Sequence, residues 1–170
     1  IRMLDAMPNV RELVGDRGVT FTQAMVPTSL CCPSRASTLT GRYAHETLVY
    51  RNFPPFGGWR GFNESGAERQ TLAVWLNDAG YETALVGKYL NGFGLTSLDF
   101  TPPGWDRMST FYNVRSARYY NYELRHTVAG VTTVTAHGGE EADYSTDALR
   151  DQAVSVVESV PATRPLFLMF

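Results

Sequence analysis

An α/β fold is predicted for this chain, with a mixed or parallel sheet flanked by helices. Two helix–strand units and one strand–helix unit point to it. Residues 71–80, "TLAVWLNDAG", set Leu72, Val74, Trp75 and Leu76 on an amphipathic helix and stop at Gly80, and "YETALVGKYL" follows as a strand. Residues 144–160, "YSTDALRDQAVSVVESV", carry a longer helical pattern, with the apolar "RPLFLMF" directly behind as a buried strand. Residues 18–26, "GVTFTQAMV", rich in β-branched residues and Phe, precede a short helix. Elements alternating in this way bury helices on the faces of a sheet.

In chain order, residues 5–14 place Met7, Val10, Leu13 and Val14 at helical spacing before Gly15. The strand at 18–26 leads through "PTSL" to a helix with Pro33 at its first position and Gly41 past its end. Residues 51–66, "RNFPPFGGWRGFNESG", have the Gly, Pro and aromatic content of an irregular surface loop. After the 71–80 helix and its strand, a loop spans 87–94. Residues 95–139 read as loop-rich, with a hairpin through "VAGVTTV" and an aromatic cluster at 118–124. Ser145 or Thr146 lies near the cap of the 144–160 helix.

The 170 residues, 44% hydrophobic and 19% charged, suffice for one soluble domain with a real core. A net charge of −2 gives no electrostatic case for nucleic acid or an anionic membrane surface. No apolar run approaches the roughly 20 residues that span a bilayer. The abrupt ends, at "IRMLDAMPNV" and inside "PLFLMF", read as cuts, so a piece of a longer protein is expected, with no targeting segment in view. Of fifteen basic residues only Lys88 is lysine, a skew that base composition explains but that singles out Lys88 as an ammonium.

Both cysteines stand side by side in "SLCCPSRASTLTGR". Adjacent cysteines seldom bond each other, and two without Cys-x-x-Cys spacing make a poor zinc site. With Pro33 first in the helix, Cys32 is the N-cap, and unpaired first-turn amides together with Arg35 suit a tetrahedral oxyanion. Two buried cysteines acting as small hydrophobes would equally satisfy this placement. A Cys-x5-Arg phosphatase loop is excluded, because the sixth residue is Ser37 counted from Cys31 and Thr38 counted from Cys32.

The stretch from Cys31 to Arg42 resembles the type I sulfatase signature C-x-P-S-R-x-x-x-L-x-G-R at every fixed position. "AGYETALVGKYLNGFG" resembles that family's second motif, and "PPGWDRM" and the 144–170 region are also similar to sulfatase sequence. "SLCCPSR", "GKYLN" and "YYNYEL" most resemble the N-acetylglucosamine-6-sulfatase branch. The resemblance implies an alkaline-phosphatase-like α/β fold, with residues 1–170 as the N-terminal part of a catalytic domain. It implies hydrolysis of sulfate monoesters, on sulfated amino sugars, other sulfated carbohydrates or aryl sulfates. The alternatives are a phosphonate monoester or phosphodiester hydrolase on the same fold, or a non-catalytic sulfatase-like module.

By that resemblance Cys31 is oxidised to Cα-formylglycine by a formylglycine-generating enzyme. The hydrated aldehyde attacks sulfur, and its second hydroxyl then expels sulfate, a release that a serine ester would lack. Arg35 would orient the hydrate and Lys88 hold the sulfate oxygens, while His45 and Asn91 would contact substrate. Ca²⁺ would bind the Cys31-derived group, with its other ligands outside this chain, since the family's Asp-Asp pair is absent. The fragment alone is therefore expected to be inactive, and Cys32 to be a spectator. Family habit implies a secreted, periplasmic or lysosomal location.

The remaining candidates have plainer readings. His126 and His137 are expected in solvated polar loops, and Asp143 and Asp147 as carboxylates near a helix N-terminus. Tyr119, Tyr120 and Tyr122 suit a sugar face or the core equally. Asn63-Glu64-Ser65 forms a glycosylation sequon of the commonest accidental kind.

Overall fold

The computed structural model describes residues 5–114 and 117–170. Five strands, β1 (Glu82–Gly87), β2 (Arg107–Tyr112), β3 (Tyr122–Val128), β4 (Val131–His137) and β5 (Leu166–Met169), form one sheet in the order β4-β3-β2-β1-β5. β1 is parallel to both neighbours, with Ala84 opposite Arg107 on one side and Leu168 on the other. β2, β3 and β4 form an antiparallel meander. All six residues of β1 are buried, as expected for a parallel strand covered on both faces.

The period of two along β1 sorts its side chains between two helical layers. Leu85 packs with Met108 of β2 and with Cys32, Ala36, Leu39 and Phe62. These come from helices α1 (Cys31–Thr40) and α3 (Gly58–Glu64); α2 (Ala44–Thr47) and α4 (Leu72–Asp78) complete that region of the chain. Ala84 and Val86 instead meet Ala153 and Val156 of α5 (Ser145–Ser159) on the opposite face. Each fully buried Leu or Phe in such a layer contributes roughly 1.5–3 kcal/mol. Thr71 N-caps α4 through its hydroxyl, which accepts the Val74 N–H at 3.3 Å.

Polar groups fix the ends of β1. At its N-terminal end, buried Glu82 pairs with Arg107 at 2.6 Å and with Arg164, while Asp106 accepts the Thr83 N–H. Beyond its C-terminal end, the crossover to β2 is tied down by Arg125 of β3, which is fully buried. Its guanidinium donates to Thr96 Oγ1 and to the carbonyls of Ser97, Leu98 and Phe100, and it lies 4.9 Å from the Phe93 ring centroid.

Several local expectations are corrected. Residues 18–26 form no strand, since a ladder needs a partner and none of the described strands pairs with them. The 5–14 helix reduces to a turn at Pro8–Val10 and a π-helical turn at Arg11–Gly15, because Met7, Val10, Leu13 and Val14 are all exposed. Residues 51–66 contain α3, anchored by buried Phe62. Residues 95–139 hold three strands; the hairpin turns at Ala129–Gly130, and the aromatic stretch enters β3. His126 and His137 lie on β3 and β4 rather than in loops. His126 Nδ1 is 3.0 Å from Ser109 Oγ, and burial pushes its pKa down.

Candidate active site

Helix α1 starts two residues earlier than its proline suggests. Leu30 is the extended N-cap, and the Ser34 N–H makes the first i→i−4 bond to the Leu30 carbonyl at 2.9 Å. Cys31, Cys32 and Pro33 are therefore the first three helical positions. Pro33 is tolerated at the third because N–H groups of the first turn have no helical partner in any case. Gly41 ends the helix in the left-handed region, φ 68°, donating to the Ser37 carbonyl at 2.8 Å.

This register separates the two thiols. Cys31 is exposed and Cys32 fully buried. The Cys32 N–H donates to Asn52 Oδ1 at 2.8 Å. Its sulfur accepts the Asn91 N–H at 3.2 Å and lies 3.5 Å from Asn91 Oδ1, to which the thiol donates. Burial pushes the Cys32 thiol up, and the Asn91 N–H and the Lys88 charge oppose this only in part. The expected set of open first-turn amides narrows accordingly: Pro33 has none, and that of Cys32 is taken. Recognition of an oxyanion here falls more heavily on side-chain cations.

Two cations are present. Arg35 stands one turn along from Cys31 on the same face of α1, and Lys88 follows the C-terminal residue of β1. Arg35 Nη1 donates to the Lys88 carbonyl at 2.8 Å, joining the start of the helix to the end of the central strand. The outer ends of parallel strands are the usual place for a ligand in an α/β sheet.

The segment carrying Lys88 is fixed at each following residue. Tyr89 is buried, and its hydroxyl donates to Glu68 Oε1 at 3.1 Å. Glu68 is itself 1% exposed and also accepts Trp59 Nε1–H at 2.9 Å and Asn63 Nδ2–H at 2.6 Å. Burial raises the pKa of Glu68, and burial followed by the Glu68 charge raises that of Tyr89 further still. The Asn91 carbonyl accepts the Trp59 N–H at 2.8 Å. Gly58 permits this approach: its φ is +68°, and a Cβ there would lie 2.8 Å from the Asn52 carbonyl oxygen and 3.0 Å from that of Asn91.

The structure thus brings Cys31, Arg35, Lys88 and Asn91 to one place. Asn91 is buried, with its amide engaged by Cys32, and it also lines a largely apolar cavity of about 690 Å³ with Trp59 and Phe100. His45 sits apart on α2, exposed and stacked on Tyr43 with ring centroids 5.9 Å apart. Asn52 and Glu68 were missed by sequence reasoning. Asn52 lay in the stretch read as loop, and a single Glu among polar residues carries no periodic signal. Among the described residues no three His, Cys, Asp or Glu side chains form a group able to hold a metal ion. Cys31 is flanked by cations, so these residues do not by themselves make a calcium cage.

A family model described as "Sulfatase" matches residues 3–170. Among curated proteins, human N-acetylglucosamine-6-sulfatase is 33% identical over 172 residues, covering 96% of this chain and 29% of its own length. The Drosophila melanogaster protein named "Extracellular sulfatase SULF-1 homolog" is 31% identical, covering 92% of this chain and 13% of its own. A solved structure described as bound to its substrate, D-glucosamine-2-N,6-O-disulfate, superposes with a TM-score of 0.70 at 27% identity, covering 96% of this chain and 28% of that one. The chain spans 20–29% of the length of the first curated relatives it matches. No described helix is long and apolar enough to cross a membrane.

Proposed function

The chain belongs to the sulfatase family, and on that premise we propose that it is the N-terminal part of a catalytic domain hydrolysing sulfate monoesters of sulfated amino sugars. Its mixed sheet flanked by helices is the alkaline-phosphatase-like fold of that family. The observation that carries the reading is the 2.8 Å bond from Arg35 to the Lys88 carbonyl, which holds both cations beside exposed Cys31.

In this reading Cys31, converted to formylglycine, supplies the hydrated aldehyde oxygen that serves as nucleophile. Lys88 holds the sulfate oxygens as negative charge builds on them, and its ammonium needs no reorganisation because Tyr89 and Asn91 fix the backbone on either side. Arg35 has one guanidinium nitrogen committed to the Lys88 carbonyl, leaving its other donors for the oxygen at Cys31. Asn91 acts behind the site, through Cys32, as a positioning residue. His45 contacts substrate only through groups beyond its present stack on Tyr43. Calcium ligands other than residue 31 lie outside this chain, and no step is assigned to the metal. Sulfated glucosamine is the favoured substrate class, supported by the relatives' names. A formylglycine-generating enzyme is the maturation partner, and export is in keeping with a relative named as extracellular.

The test uses the full-length protein from a host competent in formylglycine formation. The Cys31 peptide should be lighter by about 18 Da than the thiol, since sulfur and two hydrogens are exchanged for one oxygen, whereas other cysteine oxidations add mass. Cys31→Ala should abolish turnover of a sulfate monoester. An unconverted Cys31, or preference for a phosphonate ester over a sulfate ester, would overturn the assignment.

A further inference from the structure

The end of the sheet that carries Lys88 also carries an aromatic surface that the reaction does not use. β1 and β2 are parallel with Gly87 opposite Thr110, so Lys88 and the chain leaving β2 emerge on the same side. Lys88, Thr110, Phe111, Val114 and Ala117 line one small cavity. Val114 is also in the wall of a second, polar cavity of about 330 Å³, with Asn113, Arg118, Asn121, Glu123 and His137. Tyr119 lies two residues from Ala117, and two residues of chain reach at most about 7 Å.

Tyr119 is stacked on Tyr144 with ring centroids 5.7 Å apart and 25° between planes, and Tyr120 meets the same ring at 5.6 Å. Tyr119 is 67% exposed and Tyr120 39%. Their backbone is held: the Ser145 N–H donates to the Tyr119 carbonyl at 3.0 Å, and the Asn121 N–H to the Gly138 carbonyl at 2.7 Å.

We propose that Tyr119, Tyr120 and Tyr144, with the adjoining polar cleft, form a second subsite that binds a pyranose ring of a sulfated saccharide chain whose scissile ester lies at Cys31. This rests on the function proposed above. A pyranose offers an apolar C–H face and a rim of hydroxyls; stacked tyrosines match the first at low entropy cost, and Asn113, Asn121, Glu123 and His137 match the second. Arg118 gives the cleft a planar cation suited to a further sulfate or carboxylate on the chain. Continuity through Val114 places this ring next to the one bearing the scissile ester.

The test uses full-length enzyme, a sulfated glucosamine-containing tetrasaccharide and a small aryl sulfate. For Tyr119→Ala the ratio of kcat/KM on the tetrasaccharide to that on the aryl sulfate should fall about tenfold, with the loss in KM, as expected for binding retained into the transition state. Tyr119→Phe, which keeps the stacking face, should restore most of the ratio. Equal loss on both substrates, or none, would overturn the subsite and point to a face covered by another part of the longer protein. Calorimetry of the tetrasaccharide on Cys31→Ala protein separates the two readings. Binding that weakens on Tyr119→Ala supports the subsite even without turnover, and binding indifferent to Tyr119 refutes it.

Discussion

Glu68 offers the sharpest test of how the Lys88 segment is held. Its carboxylate accepts from Trp59, Tyr89 and Asn63, and only Asn63 among these is exposed enough to turn to water. Glu68→Ala leaves the Trp59 N–H and the Tyr89 hydroxyl without their acceptor. At about 1–3 kcal/mol for each stranded buried donor, the loss is about 2–6 kcal/mol, a large share of the total stability of an ordinary domain. Glu68→Gln retains one acceptor oxygen, and Asn63 can rotate its amide to receive the new donor, so its cost is about 1 kcal/mol or less. The two variants also differ in pH response. The folded pKa of Glu68 is raised by burial, so its contribution is fully present below the ordinary glutamate value and is lost as pH rises through the folded one. The stability of wild type minus that of Glu68→Gln should therefore decline between about pH 4 and about pH 7. Urea unfolding of the full-length protein at a series of pH values measures both effects. A loss under about 1 kcal/mol for Glu68→Ala, or a pH-independent difference for Glu68→Gln, would refute the view that this buried carboxylate anchors Tyr89.

Two further substitutions probe neighbouring joints. Cys32→Ala removes the acceptor of the Asn91 N–H and opens a small buried space, so it should cost about 1–2 kcal/mol in unfolding free energy; Cys32→Ser, which keeps an acceptor, should cost less. No difference between them would mean that the sulfur only fills space. Arg125→Met leaves the carbonyls of residues 97–100 without their buried donor and should destabilise by about 2–4 kcal/mol, with new protease cleavage near 96–100. An unchanged cleavage pattern would show that the crossover is held by other contacts.

What could be read from the sequence was whatever had a short period or a specific signature. The unit from Thr71 to Gly87 was legible because an N-cap, a helix, a glycine turn and an apolar run follow one another without interruption. β2 and β3 were not, because "RMSTFY" and "YELRHTV" owe their state to neighbours distant in sequence. Buried Arg125, which no apolar pattern announces, is satisfied only by carbonyls from a loop of other residues. Residues 18–26 show the reverse error: β-branched composition without a partner strand gives no strand. At the site the motif gave Cys31 and Arg35, and the second motif gave Lys88. What holds them, Asn52 and Glu68, lies in stretches with no signal of their own.

The cysteine doublet follows from helical geometry. Successive helical residues are about 100° apart, so neighbours cannot share a face, while positions four apart do. Cys32, Ala36 and Leu39 fall on one side of α1 and are buried; Cys31, Arg35 and Thr38 fall on the other and are not. The face that keeps Cys31 open to a reagent is the one that aims Arg35 at the Lys88 carbonyl. The opposite face inserts Cys32 against Asn91 three residues further along the same strand exit. One helix turn therefore clamps the Lys88 segment twice, once with a guanidinium and once with a sulfur. Cys32, expected to be a spectator, is part of what sets the distance between Cys31 and Lys88. Lengthening or shortening that turn by one residue would exchange the two faces and bury the nucleophile.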